Sequence, residues 1–297
     1  MTAASTIDER EQPNTRKAGR RPNPLRSVPV VRVPGHATRR GSRKYAARSA
    51  GRLDDQRAAA SPAAERQRAQ LPSFAPLLEE LEIAGWTSHR QILGGNFHDW
   101  MLLGGDRVMV TVGHAVGPEP LDPTVAALVA QSAWTAVRAH AAQSGDAGEL
   151  LTLAAETLWP MPAAAVRAAV AVALIDTAGG RASVAMAGDC LAWRVRAATS
   201  EQIVIGQPLL GAATGFNYLG HSFRLSLRER LILAADNPHE RSPKTAAAVG
   251  TSFSQLDAES HRRMTASEAA ALVRQHYEPS AAAQPAVSAS AAAVRRR

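Results

Sequence analysis

The 297-residue chain is long enough for one large domain or two ordinary ones. It contains no run of about 18 uninterrupted apolar residues, so no membrane span is expected, and its single cysteine, Cys190, excludes an internal disulfide and a cysteine-based zinc site. The formal net charge of +8 is unevenly distributed, because residues 1–70 hold 16 Lys and Arg against 6 Asp and Glu. Residues 71–294 are mildly acidic, with 15 against 20, which disfavours a basic nucleic-acid-binding fold.

The first 70 residues combine positive charge with scattered prolines and few large apolar side chains. Such a segment cannot bury enough apolar surface to offset the entropy lost on ordering, so we predict a disordered arm over residues 1–70. The arm is either a solvated linker or a segment that contacts nucleic acid, anionic lipid or an acidic partner. No charged start followed by an apolar core marks a secretory signal, so we expect a cytoplasmic protein.

Order is predicted to begin near Pro72. Apolar residues from Phe74 to Ile83 recur at helical spacing and indicate a short amphipathic helix that ends at Gly85. A strand over residues 90–93 follows, and apolar segments on both sides of a Gly-Gly-Asp turn predict a hairpin over residues 101–112.

The segment Gly94–Trp100 lies between that strand and the hairpin. Its two glycines permit backbone angles or close approaches that a β-carbon would forbid. If the segment is extended, Asn96 and His98 point to one face of the sheet and Phe97 and Asp99 to the other. Taken alone, this pattern is also typical of a simple β-turn that leads into an edge strand.

Helices and strands alternate irregularly through the rest of the chain. Asp122 followed by Pro123 is typical of a helix start, and a second helix is predicted to end before Pro160. Alternating valines around a glycine turn predict a second hairpin over residues 170–187. Further strands are predicted over residues 191–196, 202–205, 223–225 and 231–235, and a capping box from Thr265 to Glu268 opens a last helix.

Residues 279–297 are rich in Ala, Ser and Pro and predict a disordered tail, which leaves residues 71–278 as the folded domain. The layout lacks the strict strand–helix alternation of a parallel sheet. It therefore favours an α+β sandwich with helices on the outside.

Five short segments follow one another along the chain: Gly94–Asp99, Val112–Gly117, Ala187–Asp189, Pro208–Gly211 and Leu231–Asn237. Their residues and their order resemble the SpoIIE-like branch of the metal-dependent PPM-type protein phosphatases. The resemblance covers roughly residues 85–240 and implies a four-layer α-β-β-α sandwich of two antiparallel sheets flanked by helices. It also implies two Mg²⁺ or Mn²⁺ ions whose shared hydroxide attacks phosphoserine or phosphothreonine, and a signalling partner such as a phosphorylated anti-sigma-factor antagonist.

The chain departs from the family pattern at the metal ligands. By resemblance, the first metal aspartate falls on Asn96, the bridging aspartate on His114, and the neighbouring carbonyl ligand on Ala115, whereas Asp236 is retained. No equivalent of the family's C-terminal Asp pair is found. Each lost carboxylate removes several kcal/mol of attraction to a divalent ion at an effective dielectric constant of about 20. We therefore predict that two-metal dephosphorylation is severely impaired.

Other interpretations of the same residues stay open. The chain could be a pseudophosphatase that binds a phosphoprotein or signalling partner without turnover, or a tether that acts through its basic arm. An altered hydrolase with Zn²⁺ or Fe²⁺ could use an imidazole–carboxylate site. Its candidate ligands are His98, Asp99, His114, Asp236 and His239. Asp189 either caps a turn between strands or occupies an accessory metal position.

Overall fold

The computed structural model describes residues 62–89, 93–159, 166–196, 199–236, 245–277 and 288–297. The strands are Leu81–Ser88 (β1), Asn96–Leu103 (β2), Arg107–Val116 (β3), Arg167–Asp176 (β4), Arg181–Ala187 (β5), Leu191–Arg196 (β6), Thr199–Ile203 (β7), His221–Arg224 (β8), Arg230–Asp236 (β9) and Ala289–Arg296 (β10). The helices are residues 62–70 (α1), Pro123–Ala141 (α2), Ala147–Leu158 (α3), Thr245–Ser254 (α4), Ala258–Arg263 (α5) and Ala266–Gln275 (α6).

Two five-stranded antiparallel sheets form the centre of the fold. Sheet A has the strand order β1-β10-β9-β6-β7, and sheet B has the order β2-β3-β4-β5-β8. Val110 and Val112 of β3 pack with Leu231 and Leu233 of β9 in a core between the sheets. Helices α2 and α3 cover the outer face of sheet B, and α4 and α6 cover that of sheet A. The α+β, four-layer sandwich expected from the sequence is confirmed.

Both faces of each sheet are buried, because one face packs on the other sheet and the opposite face packs on helices. Successive side chains along a strand alternate between these two faces. On β9, Leu231 and Leu233 face the other sheet, whereas Ile232 and Ala234 pack on the outer helices. A strand covered on both sides reads as a continuous apolar run, as Leu231-Ile232-Leu233-Ala234 does.

Local capping signals place the helix starts where the sequence predicts them. The Oδ1 atom of Asp122 accepts hydrogen bonds from the backbone N–H groups of Thr124 and Val125, at 2.8 and 3.1 Å. The Thr265–Glu268 capping box is present in both directions at the start of α6. Each cap satisfies backbone donors that a helix leaves free in its first turn.

The predicted helix over Phe74–Ile83 is wrong, because residues 71–80 contain no helix and the strand β1 begins at Leu81. Leu81 and Ile83 are both buried on the inner side of sheet A, at the two-residue period of a strand. Phe74 and Leu77 are exposed, so the residues that suggested a helical stripe do not share one face. Pairing of β1 with β10 overrides the local pattern.

The predicted disordered tail is wrong over β10, which lies between β1 and β9 in sheet A. Ala291 and Ala293 pack against the α6 layer, and Ala292 and Val294 face sheet B. Small side chains suit a strand that is covered closely on both faces, so the alanine-rich composition reflects packing and not disorder. Residues 279–287, the first part of the predicted tail, lie outside the described residues.

The structure describes only part of the segments for which we predicted a disordered basic arm and a first strand. Residues 1–61, most of the predicted basic arm, lie outside the described residues, and so does most of the predicted strand over residues 90–93. Residues 62–70, the end of the arm, form α1 and are not disordered. None of the described helices is both long enough and apolar enough to span a bilayer.

Candidate functional site

Asn96 and His114 are direct partners in the ladder between β2 and β3. Both are buried, with 4% and 1% of their surfaces exposed. Cross-strand partners point to the same face of a sheet, and for this pair that face looks toward sheet A. His98 shares the face, where its Nδ1 atom lies 2.7 Å from the Thr87 hydroxyl of β1. The predicted orientation of Asn96 and His98 is confirmed.

The glycine at position 95 is required by a close approach. Its carbonyl accepts a hydrogen bond from the backbone N–H of Ala115 at 3.0 Å. A β-carbon at Gly95 would lie 2.9 Å from the Ala115 Cβ and 3.2 Å from the Ala126 Cβ of α2. Gly95 therefore lets β2, the end of β3 and the first turns of α2 meet around Asn96.

Phe97 and Asp99 point to the opposite face, as predicted. Phe97 packs in the core under α2, and Asp99 forms an ion pair with Nη1 of Arg138 at 2.9 Å. Burial raises the pKa of the Asp99 carboxyl, and the Arg138 charge opposes that shift only in part. Asp99 is thus a structural ion-pair partner on the helix side of sheet B, away from Asn96 and His114.

Asp236 ends β9 and is fully buried. It is the ladder partner of Ala289, and the next pair is Ala235 with Ser290. The Ser290 hydroxyl donates to the carbonyl of Gly113 at 3.4 Å, which brings this end of sheet A against β3 beside His114. Alternation along β9 assigns Asp236 to the outer face of sheet A, whereas Asn96 and His114 face inward.

The N-terminal helix α1 contributes a contact that the sequence analysis missed. Gln67 brackets Gly94: its Nε2 donates to the Gly94 carbonyl at 2.6 Å, and its Oε1 accepts from the Gly94 N–H at 3.2 Å. Gln67, Asn96, Gln131 and Trp134 line a small pocket beneath the helix. Sequence reasoning could not find Gln67, because it lies in the segment assigned to the disordered arm.

Comparison with known proteins decides the family. The family model described as Stage II sporulation protein E (SpoIIE) matches residues 104–287. The chain belongs to the SpoIIE family. The match includes His114 and Asp236 but begins after Asn96. The predicted family is thereby confirmed, although no curated protein matches the chain.

Solved structures of SpoIIE-like phosphatase domains share the fold. The PP2C phosphatase domain and a regulatory fragment of SpoIIE from Bacillus subtilis match with a TM-score of 0.60 and 12% identity, over 72% of this chain and 63% of that one. The RsbU and RsbW domains of Rv1364c from Mycobacterium tuberculosis match with a TM-score of 0.57 and 19% identity, over 75% and 63%. RsbX in complex with magnesium matches with a TM-score of 0.55 and 9% identity, over 75% and 98%. This chain therefore spans less than two thirds of the first two structures.

At the two positions where the family resemblance places metal aspartates, the structure has Asn96 and His114. Hard divalent ions prefer several carboxylate oxygens, but Asn96 offers a neutral amide, and no described residue accepts a hydrogen bond from its buried Nδ2 atom. His114 offers an imidazole, which does not bridge two hard cations as a carboxylate does. Residues 288–290, at the start of β10 beside Asp236, read Ser-Ala-Ser and supply no carboxylate.

The candidate zinc or iron ligands are not assembled either. Within the described residues, no group of three or more His, Cys, Asp and Glu side chains could hold a metal ion. His98 and Asp99 face opposite sides of sheet B, and His239 lies outside the described residues. Asp189 is exposed in the turn between β5 and β6, and its accessory metal role remains a prediction.

Proposed function

We propose that this SpoIIE-family protein has a severely impaired two-metal phosphatase site and acts in cytoplasmic bacterial phospho-signalling by binding a phosphoprotein or signalling partner. The observation that carries the proposal is the buried ladder pair of Asn96 and His114, at the positions where the family resemblance places the first metal aspartate and the bridging aspartate. Neither side chain is a carboxylate, the ligand type that hard divalent ions prefer, and this supports the proposal.

The energetic argument rests on the missing charge. A carboxylate at contact distance from a divalent ion contributes several kcal/mol even at an effective dielectric constant of about 20. Since about 1.4 kcal/mol corresponds to a factor of ten in affinity, two such losses weaken Mg²⁺ or Mn²⁺ binding by many orders of magnitude. Asp236 alone cannot replace them, because active relatives share the ions among several aspartates.

The nature of the partner is proposed from the family. SpoIIE-like relatives act on phosphorylated anti-sigma-factor antagonists, and the Rv1364c structure contains an RsbU and an RsbW domain. A protein that keeps the fold but lacks turnover would hold such a phosphoprotein without releasing its phosphate. Residual slow dephosphorylation by the same site is the alternative outcome.

The test is Mn²⁺-dependent hydrolysis of a phosphoserine peptide by the full-length protein. We expect no phosphate release above the rate of a protein-free control, with or without Mn²⁺. The matched variant is Asp236→Ala, which removes the retained family aspartate. Mn²⁺-dependent release by the wild type that is lost in Asp236→Ala would show an active phosphatase and overturn the proposal.

A further inference from the structure

A second cleft lies at the other end of the sandwich from Asn96 and His114. It is an open cleft of about 360 Å³ between α5 and the turn that precedes β9, and its lining residues are Arg196, Ser226, Leu227, Arg228, Glu229, His261 and Arg262. Arg230 begins β9 and Asp236 ends it, so the seven-residue strand separates the two ends by about 20 Å. The cleft is therefore distinct from the family's metal site.

The carboxylate in this lining, Glu229, already has ion-pair partners. Glu229 forms ion pairs with Arg194 at 2.7 Å and with Arg196 at 3.3 Å, and it also accepts a hydrogen bond from the backbone N–H of Ser226. Arg228 and Arg262 are exposed and have no ion-pair partner among the residues that the structure describes. The cleft thus presents two arginines whose charges are not neutralised.

Beneath the cleft, Arg230 is a fully buried cation. Its guanidinium donates to the backbone carbonyls of His261 and Met264 and, at 3.3 Å, of Arg228. No described carboxylate lies within ion-pair distance of it. These bonds join α5 to the turn. Burial of the Arg230 charge is costly, the charges of Glu82 and Glu268 offset that cost only in part, and an anion in the cleft would reduce it further.

Arg228 occupies an unusual backbone conformation for its residue type. Its φ angle is 65°, in the left-handed region where an L residue other than glycine costs about 1 kcal/mol. The backbone N–H of Arg228 donates to the carbonyl of Arg296 at 2.7 Å, which holds the turn in place. Strain of this kind persists where the surroundings impose it, often at ligand sites. Here it directs a charged side chain to the rim of a basic cleft.

We propose that this cleft binds a phosphate group, with Arg228 and Arg262 contacting its oxygens and Arg230 supplying buried positive charge. Planar guanidinium groups match phosphoryl oxygens in charge and geometry. The Ser226 side chain lies in the same lining and offers a hydroxyl donor. The phosphoryl group can come from a phosphoserine side chain of a partner or from free phosphate. The proposal does not depend on the loss of phosphatase activity, because it concerns the opposite end of the fold.

The test is isothermal titration of the full-length protein at low salt with two probes, inorganic phosphate and a phosphoserine peptide. We expect at least one probe to bind, and Arg228→Gly and Arg262→Gln each to weaken that binding about tenfold. Binding of the peptide alone identifies a phosphoprotein ligand, and equal binding of inorganic phosphate identifies the free anion. Arg228→Gly relieves the strained φ angle, so its thermal unfolding midpoint should match or exceed that of the wild type.

The matched control is Arg263→Gln. Arg263 adjoins Arg262 but forms an exposed ion pair with Glu259 at 2.6 Å and does not line the cleft. Its substitution should leave the affinity for either probe unchanged. The proposal is wrong if neither probe binds the wild type, if Arg228→Gly and Arg262→Gln retain full affinity, or if Arg263→Gln reduces affinity as much as they do.

Discussion

Asn96 and His114 oppose each other across β2 and β3, and both are buried in the interior between the sheets. An amide and an imidazole therefore lie side by side at this end of the ladder. The backbone around them is intact, since Gly95 still bonds to Ala115 at 3.0 Å.

Arg138→Gln should destabilise the protein, because it leaves the buried Asp99 carboxylate without its cation. Removing one partner of a buried ion pair is strongly destabilising, and partial exposure of Arg138 moderates the effect here. We expect the free energy of unfolding to fall by about 2 kcal/mol in urea denaturation at neutral pH. Arg263→Gln, which breaks the exposed pair with Glu259, should change it by less than about 0.5 kcal/mol. Equal effects of the two substitutions would contradict the structural role of Asp99.

The stability of the protein should decrease on acidification because of His98. Burial lowers the pKa of His98 to about 4 in the folded state, from an ordinary value of 6.5. The unfolded chain therefore binds a proton first, and stability is lost as pH falls from about 6.5 towards 4, by on the order of 3 kcal/mol. Urea unfolding between pH 7.5 and 4.5 measures this slope. His98→Gln should reduce this slope but not remove it, because burial also lowers the pKa of His89 to about 4. An unchanged slope in that variant would contradict the assignment.

Strand β10 should be essential for folding. Ala292 is fully buried between the sheets, so Ala292→Asp places an unpaired charge in the core and should abolish a cooperative thermal transition. The control is Ala258→Asp, an exposed first-turn position of α5, where an acid is tolerated. Circular dichroism melts of both variants make the comparison. A normal melt for Ala292→Asp would contradict the central placement of β10.

Features with local signals could be predicted from the sequence. The hairpin of β2 and β3, the cap at Asp122 and the capping box at Thr265 each depend on residues within a few positions. The opposed faces of Asn96 and Phe97 follow from strand alternation alone. These predictions are confirmed for that reason.

Features that depend on residues far away in the chain could not be predicted from the sequence. Strand β10 is made mostly of alanines, and it becomes a strand because it pairs with β9 and with β1, which lies about 200 residues earlier. The same pairing converts Leu81–Ser88 from an apparent helix into a strand. Gln67 acquires its contact with Gly94 only when α1 docks. Likewise, the charge of the cleft around Arg228 becomes visible only when α5 and the turn before β9 come together.

A calorimetric Mn²⁺ titration of the wild type and of the double variant Asn96→Asp/His114→Asp tests the central claim most directly. If the proposal is right, the wild type should show no saturable binding. The double variant should gain saturable Mn²⁺ binding, and Mn²⁺ should raise its thermal midpoint. Stoichiometric, tight Mn²⁺ binding by the wild type that disappears in Asp236→Ala would contradict the account.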